Sequence, residues 1–333
     1  MIKMEDIVEV KKGSKNFKIS WKMTNWCNYR CSYCYMSKSV SETITNTPME
    51  HLLKIASELD NIIKKRTNGK YVNLHLIGGE VGYFDLIKIL ECIKSRELKQ
   101  LIIATNFSSD IMYWYKLLQY CNSRNCFLNI IASLHLEQCN IEEFIKKIKI
   151  MGKHARIKCV INDSNVEIYK KYFDNLKEVV VQPTLERDSS NTNSKVSKET
   201  KEYVDYLNSK LDKKLAVYYY ITTKSGEKIP FYSNIEMINN IEMINNIEGG
   251  GFDPEGFECT AGLDGVRIEV DGSLRRAGCQ WCGKEENWLG NLITGEYTLP
   301  TEPIVCHTTI EHKYLGKRHK FCTAFGNTSM RRK

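Results

Sequence analysis

The sequence feature that most constrains this chain is a group of three closely spaced cysteines. Cys27, Cys31 and Cys34 follow the spacing C-x3-C-x2-C within the segment WCNYRCSYCY. Thiols this close in sequence can reach a common centre only if the backbone curls into a tight loop. The spacing lacks the second C-x2-C pair or the histidines of a zinc ribbon, and four thiolates normally hold an iron–sulfur cluster. The pattern therefore indicates a metal loop with one ligand missing; a structural zinc loop or three unrelated core thiols are the alternatives.

Composition indicates a reducing, intracellular setting for these thiols. The chain of 333 residues carries 13 cysteines, has no run of 18 apolar residues, and begins MIKMEDIVEV, without the apolar core of a signal peptide. We therefore expect a cytoplasmic protein with no membrane partner, whose cysteines serve metal or redox chemistry. Five cysteines scattered among apolar residues are expected to be core thiols: Cys92, Cys121, Cys126, Cys139 and Cys159. The net charge of +8 is dispersed, which favours a solvated surface and leaves nucleic acid as a less favoured partner.

Strand and helix patterns alternate over the first half of the chain. An alternating strand pattern at 17–23 stops just before the cysteine loop, and a helix is predicted at 48–66, with Thr47 as its N-cap. Further strands are predicted at 70–77, 100–105, 127–134, 156–161 and 178–182, and the helices between them at 84–95, 109–121, 140–151 and 165–175. This alternation predicts right-handed βαβ units and a parallel sheet of six strands, too few for a closed eight-stranded barrel.

An aromatic residue, Tyr33, precedes the third cysteine and gives the form C-x3-C-x-aromatic-C. This form resembles the signature of the radical S-adenosylmethionine (radical SAM) enzymes. The resemblance implies that Cys27, Cys31 and Cys34 are the catalytic thiolates on a 4Fe-4S cluster whose fourth iron binds S-adenosylmethionine (SAM). It also implies a 5′-deoxyadenosyl radical that abstracts hydrogen from a substrate, and an electron donor such as flavodoxin or ferredoxin. The family's partial (β/α)6 TIM-like barrel matches the six predicted strand units.

Other strand ends carry further resemblances to this family. Gly78-Gly79-Glu80 follows the second strand and resembles the GGE motif, which in the family binds the methionyl amino group of SAM; Val81 stands where proline is usual. Glycines let a backbone approach a ligand closely, although a simple turn explains the same residues. The other predicted cofactor contacts, besides Tyr33, are Asn106, Ser133, Lys158 and Gln182. His135 is expected either to line a substrate pocket or to lie on the surface.

Residues 186–251 change character and are predicted to form an insertion. A polar linker is followed by a helix at 198–212 and by a hairpin around Lys224-Ser225-Gly226-Glu227. The sequence NIEMIN then occurs twice over 234–245 and is interpreted as a short helix without an assigned function.

Five cysteines fall in the last 75 residues: Cys259, Cys279, Cys282, Cys306 and Cys322. They flank a strand, an Asp271-Gly272 hairpin turn and a Leu-Gly-Asn segment. This order resembles the SPASM and twitch domains, which bind auxiliary 4Fe-4S clusters. The resemblance implies one auxiliary cluster held by four of the five cysteines, of which Cys282 is the least favoured. A zinc site on Cys279-x2-Cys282 is the alternative.

Together these patterns predict an α/β fold with a small cysteine-rich C-terminal domain. The predicted domains are 1–185, the radical SAM partial barrel; 186–251, the insertion; and 252–333, the auxiliary cluster domain. The resemblance implies an oxidoreductase- or transferase-type enzyme that acts on a ribosomal peptide or a protein side chain, because relatives with such auxiliary domains mostly modify peptides. The alternatives are a nucleotide or nucleic-acid base, a small metabolite, and, outside enzymes, a zinc-binding scaffold.

Overall fold

The structure is a computed structural model that describes most, but not all, of the chain. The described residues are 2–12, 16–34, 47–67, 69–174, 176, 178–186, 196–211, 216–233, 255–276, 285–306 and 329–332. The predictions made for the linker at 187–195, for the NIEMIN repeat, and for Cys279, Cys282 and Cys322 fall outside these residues. The chain divides into two compact units, an α/β unit (21–61 and 73–211) and a β-rich unit (1–20, 62–72 and 212–333). The predicted domain boundaries stay a prediction.

The described elements alternate strand and helix in the first half and are almost all strand in the second. The strands are β1 Ile7–Lys12, β2 Phe17–Thr24, β3 Val72–Gly78, β4 Leu98–Thr105, β5 Phe127–Leu134, β6 Ala155–Ile161, β7 Val181–Leu185, β8 Ala216–Thr223, β9 Lys228–Ser233, β10 Phe257–Cys259, β11 Gly265–Ile268, β12 Ser273–Arg275, β13 Trp288–Asn291, β14 Glu296–Tyr297, β15 Ile304–Val305 and β16 Met330–Arg332. The helices are α1 Met49–Arg66, α2 Leu86–Leu90, α3 Ile111–Ser123, α4 Ile141–Met151, α5 Val166–Phe173 and α6 Lys198–Ser209.

The α/β unit contains a sheet whose strands follow one another in chain order, from β2 to β7. Strands β4 to β7 pair in parallel, as the alternation of strands and helices predicts. The mixed α/β fold is therefore confirmed. Within the described residues, the six strands do not form a closed barrel.

Helix α4 illustrates why these segments fold as they do. The Asn140 side chain caps its first turn by accepting hydrogen bonds from two backbone N–H groups, and Gly152, at φ +51°, ends it. Apolar residues at helical spacing, among them Phe144 and Ile148, are buried on one face. Polar residues occupy the other face, so burial of one stripe positions the helix.

The last strand of the α/β sheet lies three residues later than predicted, at Val181–Leu185 instead of 178–182. Pairing begins where Val181 lies opposite Ile157, and Val180 before it is 45% exposed. Pro183 lies inside the strand. An edge strand tolerates proline because it has no second neighbour to receive an N–H bond. Gln182 is therefore the second residue of β7 and not its end.

Two helix predictions are also corrected. α2 spans only Leu86–Leu90, because the chain beyond it tightens into turns whose N–H groups bond to carbonyls three residues earlier. α1 begins at Met49, one residue later than predicted, and the Thr47 hydroxyl donates to the carbonyl oxygen of Met23 at 2.7 Å.

The β-rich unit contains an antiparallel sheet in the order β15-β10-β16-β1-β8-β9. The predicted hairpin around 224–227 is confirmed as the β8–β9 pair. The predicted Asp271-Gly272 turn is also confirmed, between β11 and β12. The Asp271 carboxylate accepts from the Ser273 N–H at 3.0 Å, and Gly272 adopts φ +79°. In the parts of the chain that the structure describes, no helix has the length and apolar character needed to cross a bilayer.

We predict that two identical substitutions on α4 differ strongly in their effect on stability. Ile148 is 1% exposed and Ile150 is 55% exposed. Ile148→Ala should lower the free energy of unfolding by about 2 to 5 kcal/mol because it removes buried methyl groups and leaves a cavity. Ile150→Ala should change it by no more than about 0.5 kcal/mol. Urea unfolding followed by circular dichroism measures both, and equal effects would contradict this packing.

Candidate metal and cofactor site

Four residues singled out from the sequence lie just beyond the carboxyl ends of neighbouring strands in the α/β unit. Cys27 follows β2, Glu80 follows β3, Asn106 follows β4 and His135 follows β5. In folds of this kind, ligands bind at that edge of the sheet. Hydrogen bonds join these strand ends to one another.

The segment Gly78-Gly79-Glu80 docks directly against the start of the cysteine loop. Gly79 N–H donates to the Thr24 carbonyl at 2.9 Å, and Glu80 N–H donates to the Trp26 carbonyl at 2.8 Å. A Cβ atom on Gly79 would lie 1.9 Å from the Trp26 oxygen, and one on Gly78, at φ +147°, would lie 2.4 Å from the Thr24 oxygen. The two glycines are thus required by the approach of β3 to the backbone that carries Cys27.

The Glu80 carboxylate ties the end of β3 to the end of β4. Its side chain is only 1% exposed, and it accepts hydrogen bonds from Thr105 Oγ1, from Asn106 N–H and from Gly82 N–H, each at 2.6 Å. Burial raises the pKa of Glu80, and the three donated hydrogen bonds oppose that shift. Both oxygens are therefore engaged with the protein, which gives Glu80 a role in holding the site together.

Two hydrogen-bond donors approach the sulfur of Cys27. Tyr29 N–H lies 3.4 Å from Cys27 Sγ, and Asn106 Nδ2 lies 3.7 Å from it. The same Asn106 amide group also donates to Asn28 Oδ1 at 2.7 Å, which fixes its orientation. The predicted contact residue Asn106 thus lies beside the first cysteine of the loop.

The protein disfavours ionisation of the Cys27 and Cys31 thiols in the absence of a cation. Burial raises the pKa of Cys27, and burial together with the nearby Cys34 and Cys27 raises the pKa of Cys31 to about 12. Three neighbouring thiolates would repel one another unless a positively charged centre bound them. The donor set therefore fits a metal cluster.

A single tetrahedral ion and a multi-iron cluster need different arrangements of their thiolates. Thiolates around one zinc ion lie about 3.8 Å apart, given Zn–S bonds of about 2.3 Å. Among the described residues, no three His, Cys, Asp or Glu side chains form a group that could hold one metal ion. A multi-iron cluster binds each thiolate to a different iron, so its cysteines need not converge on one point.

Three other predicted cofactor contacts form one row across the sheet. Ser133 on β5 lies opposite Lys158 on β6, and Lys158 lies opposite Gln182 on β7. Side chains paired in this way point to the same face of a sheet. The structure thus brings these three residues together on one face of the sheet.

The fourth strand end reaches the cysteine loop through two residues. Tyr33 Oη lies 2.9 Å from His135 Nδ1, and Glu137 accepts hydrogen bonds from both the N–H and the hydroxyl of Ser32. The sequence prediction included Tyr33 and left His135 open, but it missed Glu137. No sequence signal marks this residue, since an exposed glutamate in a loop has no pattern.

Two of the five C-terminal cysteines belong to the described residues, and both are fully buried. Cys259 lies opposite Ile304 in the β10–β15 pair, and Cys306 N–H donates to the Phe257 carbonyl at 2.8 Å. This register puts Cys259 and Cys306 on the same face as diagonal neighbours, whose separation is about 7 to 8 Å in antiparallel sheets. The β-rich unit thus brings two of the predicted auxiliary ligands together.

No protein-family model matches this chain. An S-adenosylmethionine-dependent nucleotide dehydratase from Psychrobacter lutiphocae is 29% identical over 128 residues, which cover 36% of this chain and 38% of that protein. The solved structure of native anSMEcpe with bound AdoMet has a TM-score of 0.50 and 17% identity, and covers 93% of this chain and 87% of that one. Streptococcus suis SuiB bound to S-adenosylmethionine has a TM-score of 0.47 and 15% identity, and the match covers 84% of this chain and 64% of the SuiB chain. The likeness to anSMEcpe is one of fold.

We predict that Glu80→Ala destabilises the protein whether or not a cofactor is present. The change leaves three buried hydrogen-bond donors without an acceptor, and each unsatisfied donor costs about 1 to 3 kcal/mol. The free energy of unfolding should therefore fall by about 3 kcal/mol or more. Glu91→Ala, at an exposed glutamate of the same unit, should change it by about 0.5 kcal/mol at most. Urea unfolding of the cofactor-free chain measures both; an unchanged stability for Glu80→Ala would mean that this carboxylate has no structural role.

Proposed function

We propose that this protein is a radical SAM enzyme, in which Cys27, Cys31 and Cys34 hold a 4Fe-4S cluster that binds SAM. The observation that carries the proposal is the set of three cysteines on a loop that is hydrogen-bonded to the strand ends, with two hydrogen-bond donors on Cys27 Sγ. The likeness of fold to an AdoMet-bound protein supports it, as does the SAM-dependent relative. We further propose that the six strands of the α/β sheet form a partial (β/α)6 barrel around this site.

When bound, the cluster and SAM supply one-electron cleavage of a sulfonium C–S bond and, from it, a 5′-deoxyadenosyl radical. The chain's own residues anchor and tune this chemistry. Tyr29 N–H and the Asn106 amide donate to the Cys27 sulfur, and such hydrogen bonds stabilise the more negative, reduced state. Tyr33, Ser133, Lys158 and Gln182 are the residues that we propose to contact SAM, and Gly78, Gly79 and Glu80 hold the loop that presents it.

We also propose an auxiliary 4Fe-4S cluster in the C-terminal part of the chain. Cys259 and Cys306 share one face of the β10–β15 pair and are fully buried, as ligands of a closed cluster would be. Two ligands from the remaining cysteines, Cys279, Cys282 and Cys322, would complete it. Such clusters relay electrons or hold a substrate. An electron donor such as flavodoxin or ferredoxin would reduce the cluster at the primary site.

The first candidate substrate is a peptide or protein side chain, which a cytoplasmic maturase would modify. Its support is the cysteine-rich C-terminal part of the chain, which resembles the auxiliary domains of peptide-modifying enzymes.

The second candidate is a phosphate-bearing nucleotide. Lys158 and Arg156 lie two residues apart on β6 and therefore on one face, where they give the row of Ser133, Lys158 and Gln182 a positive charge. Cations on a sheet face favour phosphate groups. The relative named as a nucleotide dehydratase supports the same class.

We predict that replacing any one of Cys27, Cys31 and Cys34 by alanine abolishes 5′-deoxyadenosine formation. Each change removes one of three cluster ligands, so iron and sulfide at the primary site should fall as well. Cys92→Ala, at a half-buried thiol after α2, should retain both. The measurements are iron and sulfide content after anaerobic reconstitution, and chromatography after incubation with SAM and dithionite. Zinc without iron in the wild-type chain would refute the proposal.

We predict that a direct binding assay distinguishes a nucleotide substrate from a peptide substrate. If the substrate is a nucleotide, titration with ATP, GTP, CTP and UTP should detect binding of at least one, and Arg156→Gln should weaken it about tenfold or more, whereas Arg96→Gln, at an exposed arginine of the same unit, should not. If no nucleotide binds, while a peptide raises 5′-deoxyadenosine formation, the peptide proposal stands.

A further inference from the structure

The loop that follows β5, residues 135–139, contacts the cysteine loop at the two residues between Cys31 and Cys34. Ser32 N–H donates to Glu137 Oε2 at 2.8 Å, and the Ser32 hydroxyl donates to Glu137 Oε1 at 2.5 Å. The next residue, Tyr33, places its Oη 2.9 Å from His135 Nδ1. Two neighbouring residues of the cysteine loop are thus held by two residues of one other loop.

Aromatic contacts reinforce this arrangement. The Tyr33 ring stacks on the His135 ring, with centroids 5.8 Å apart and planes 23° apart. Tyr29 contacts the same imidazole ring edge-on, with centroids 6.0 Å apart and planes 90° apart. His135 is half-buried and in contact with both tyrosines, so a rotation of its ring would disturb both contacts.

The loop after β5 has a rigid base. Gln138 N–H and Cys139 N–H donate to the carbonyl of His135 at 2.9 Å and 3.2 Å, which closes a turn. Asn140, the next residue, caps α4. The side chains of His135 and Glu137 are therefore presented from a turn that is fixed between a buried strand and a capped helix.

We propose that His135 and Glu137 are positioning residues that set the orientation of Cys31 and Cys34 for cluster and SAM binding. This inference rests on the proposed function for its consequence, although the contacts themselves do not depend on it. Glu137 fixes the backbone at Ser32 through two hydrogen bonds to one residue, and His135 fixes the ring of Tyr33. Because only Ser32 and Tyr33 separate the two cysteines, their thiols have little freedom left once both residues are held. Residues that orient metal ligands in this way change metal affinity or activity by about 10- to 100-fold when they are replaced.

The first test uses the reconstituted full-length protein. His135→Leu and Glu137→Ala should each weaken SAM binding about tenfold or more, measured by the SAM-induced change in the electron paramagnetic resonance spectrum of the reduced cluster. His135→Asn, which keeps a polar atom near the Nδ1 position, and Glu137→Gln, which keeps one acceptor oxygen, should restore most of the affinity. Glu143→Ala, at an exposed glutamate of α4, is the matched control and should behave as the wild type. Wild-type SAM affinity in both disruptive variants would overturn the proposal.

The second test uses the metal-free full-length protein and does not depend on the proposed function. Cys31 is 5% exposed in the described structure, so alkylation by iodoacetamide, followed site by site by mass spectrometry, reports how firmly the loop is held. His135→Leu, Glu137→Ala and the mild Tyr33→Phe should each raise the Cys31 labelling rate several-fold, while buried Cys159 in the same unit should stay unlabelled and so report an intact fold. An unchanged Cys31 rate in all three variants would overturn the proposal even if the wild type cleaves SAM. A wild type that binds no cluster, with faster Cys31 labelling in the variants, would refute the proposed function and leave the positioning role supported.

Discussion

The close passage of Gly79 past the Trp26 carbonyl is the constraint on which the site depends. No side chain fits between them, since a Cβ atom on Gly79 would lie 1.9 Å from that oxygen. Two backbone hydrogen bonds, from Gly79 to Thr24 and from Glu80 to Trp26, replace the side-chain packing that glycine cannot provide. The start of the cysteine loop is therefore tied to the end of β3 by backbone hydrogen bonds. A loop that carried three thiols without such support would hold them in many orientations.

Electrostatics adds a second constraint at the same place. Burial raises the pKa of Cys27 and Cys31, and neighbouring cysteines, together with Glu80 at Cys27, raise it further. Three hydrogen bonds of 2.6 Å stabilise the Glu80 carboxylate, whereas the two donors that reach Cys27 Sγ, from Tyr29 and Asn106, lie at 3.4 and 3.7 Å. A cationic centre would therefore favour the thiolate forms of Cys27 and Cys31, and this is the physical basis for the proposed cluster at this position.

The sequence was sufficient to predict the elements that depend on local pattern. The strand at 127–134, the helix stripe on α1 and the Asp271-Gly272 turn follow from periodicity and turn chemistry, and all three are present. β7 lies at Val181–Leu185 instead of 178–182, because its start is set by its pairing with β6, a contact between segments more than 20 residues apart in the sequence. At the site, the cysteine spacing and the Gly-Gly-Glu segment could be recognised, but their contact could not, since it joins residues some 50 positions apart. Glu137 could not be predicted at all, because its importance arises only from the position of Ser32.

The measurement that tests the central claim most directly is electron–nuclear double resonance on the reduced, anaerobically reconstituted protein with SAM labelled by nitrogen-15 at its amino group. If Cys27, Cys31 and Cys34 hold a 4Fe-4S cluster whose remaining iron binds SAM, the labelled nitrogen should give a hyperfine coupling, which Cys31→Ala should abolish. A reduced cluster without such a coupling, or a wild-type protein that retains zinc in place of iron, would contradict the claim.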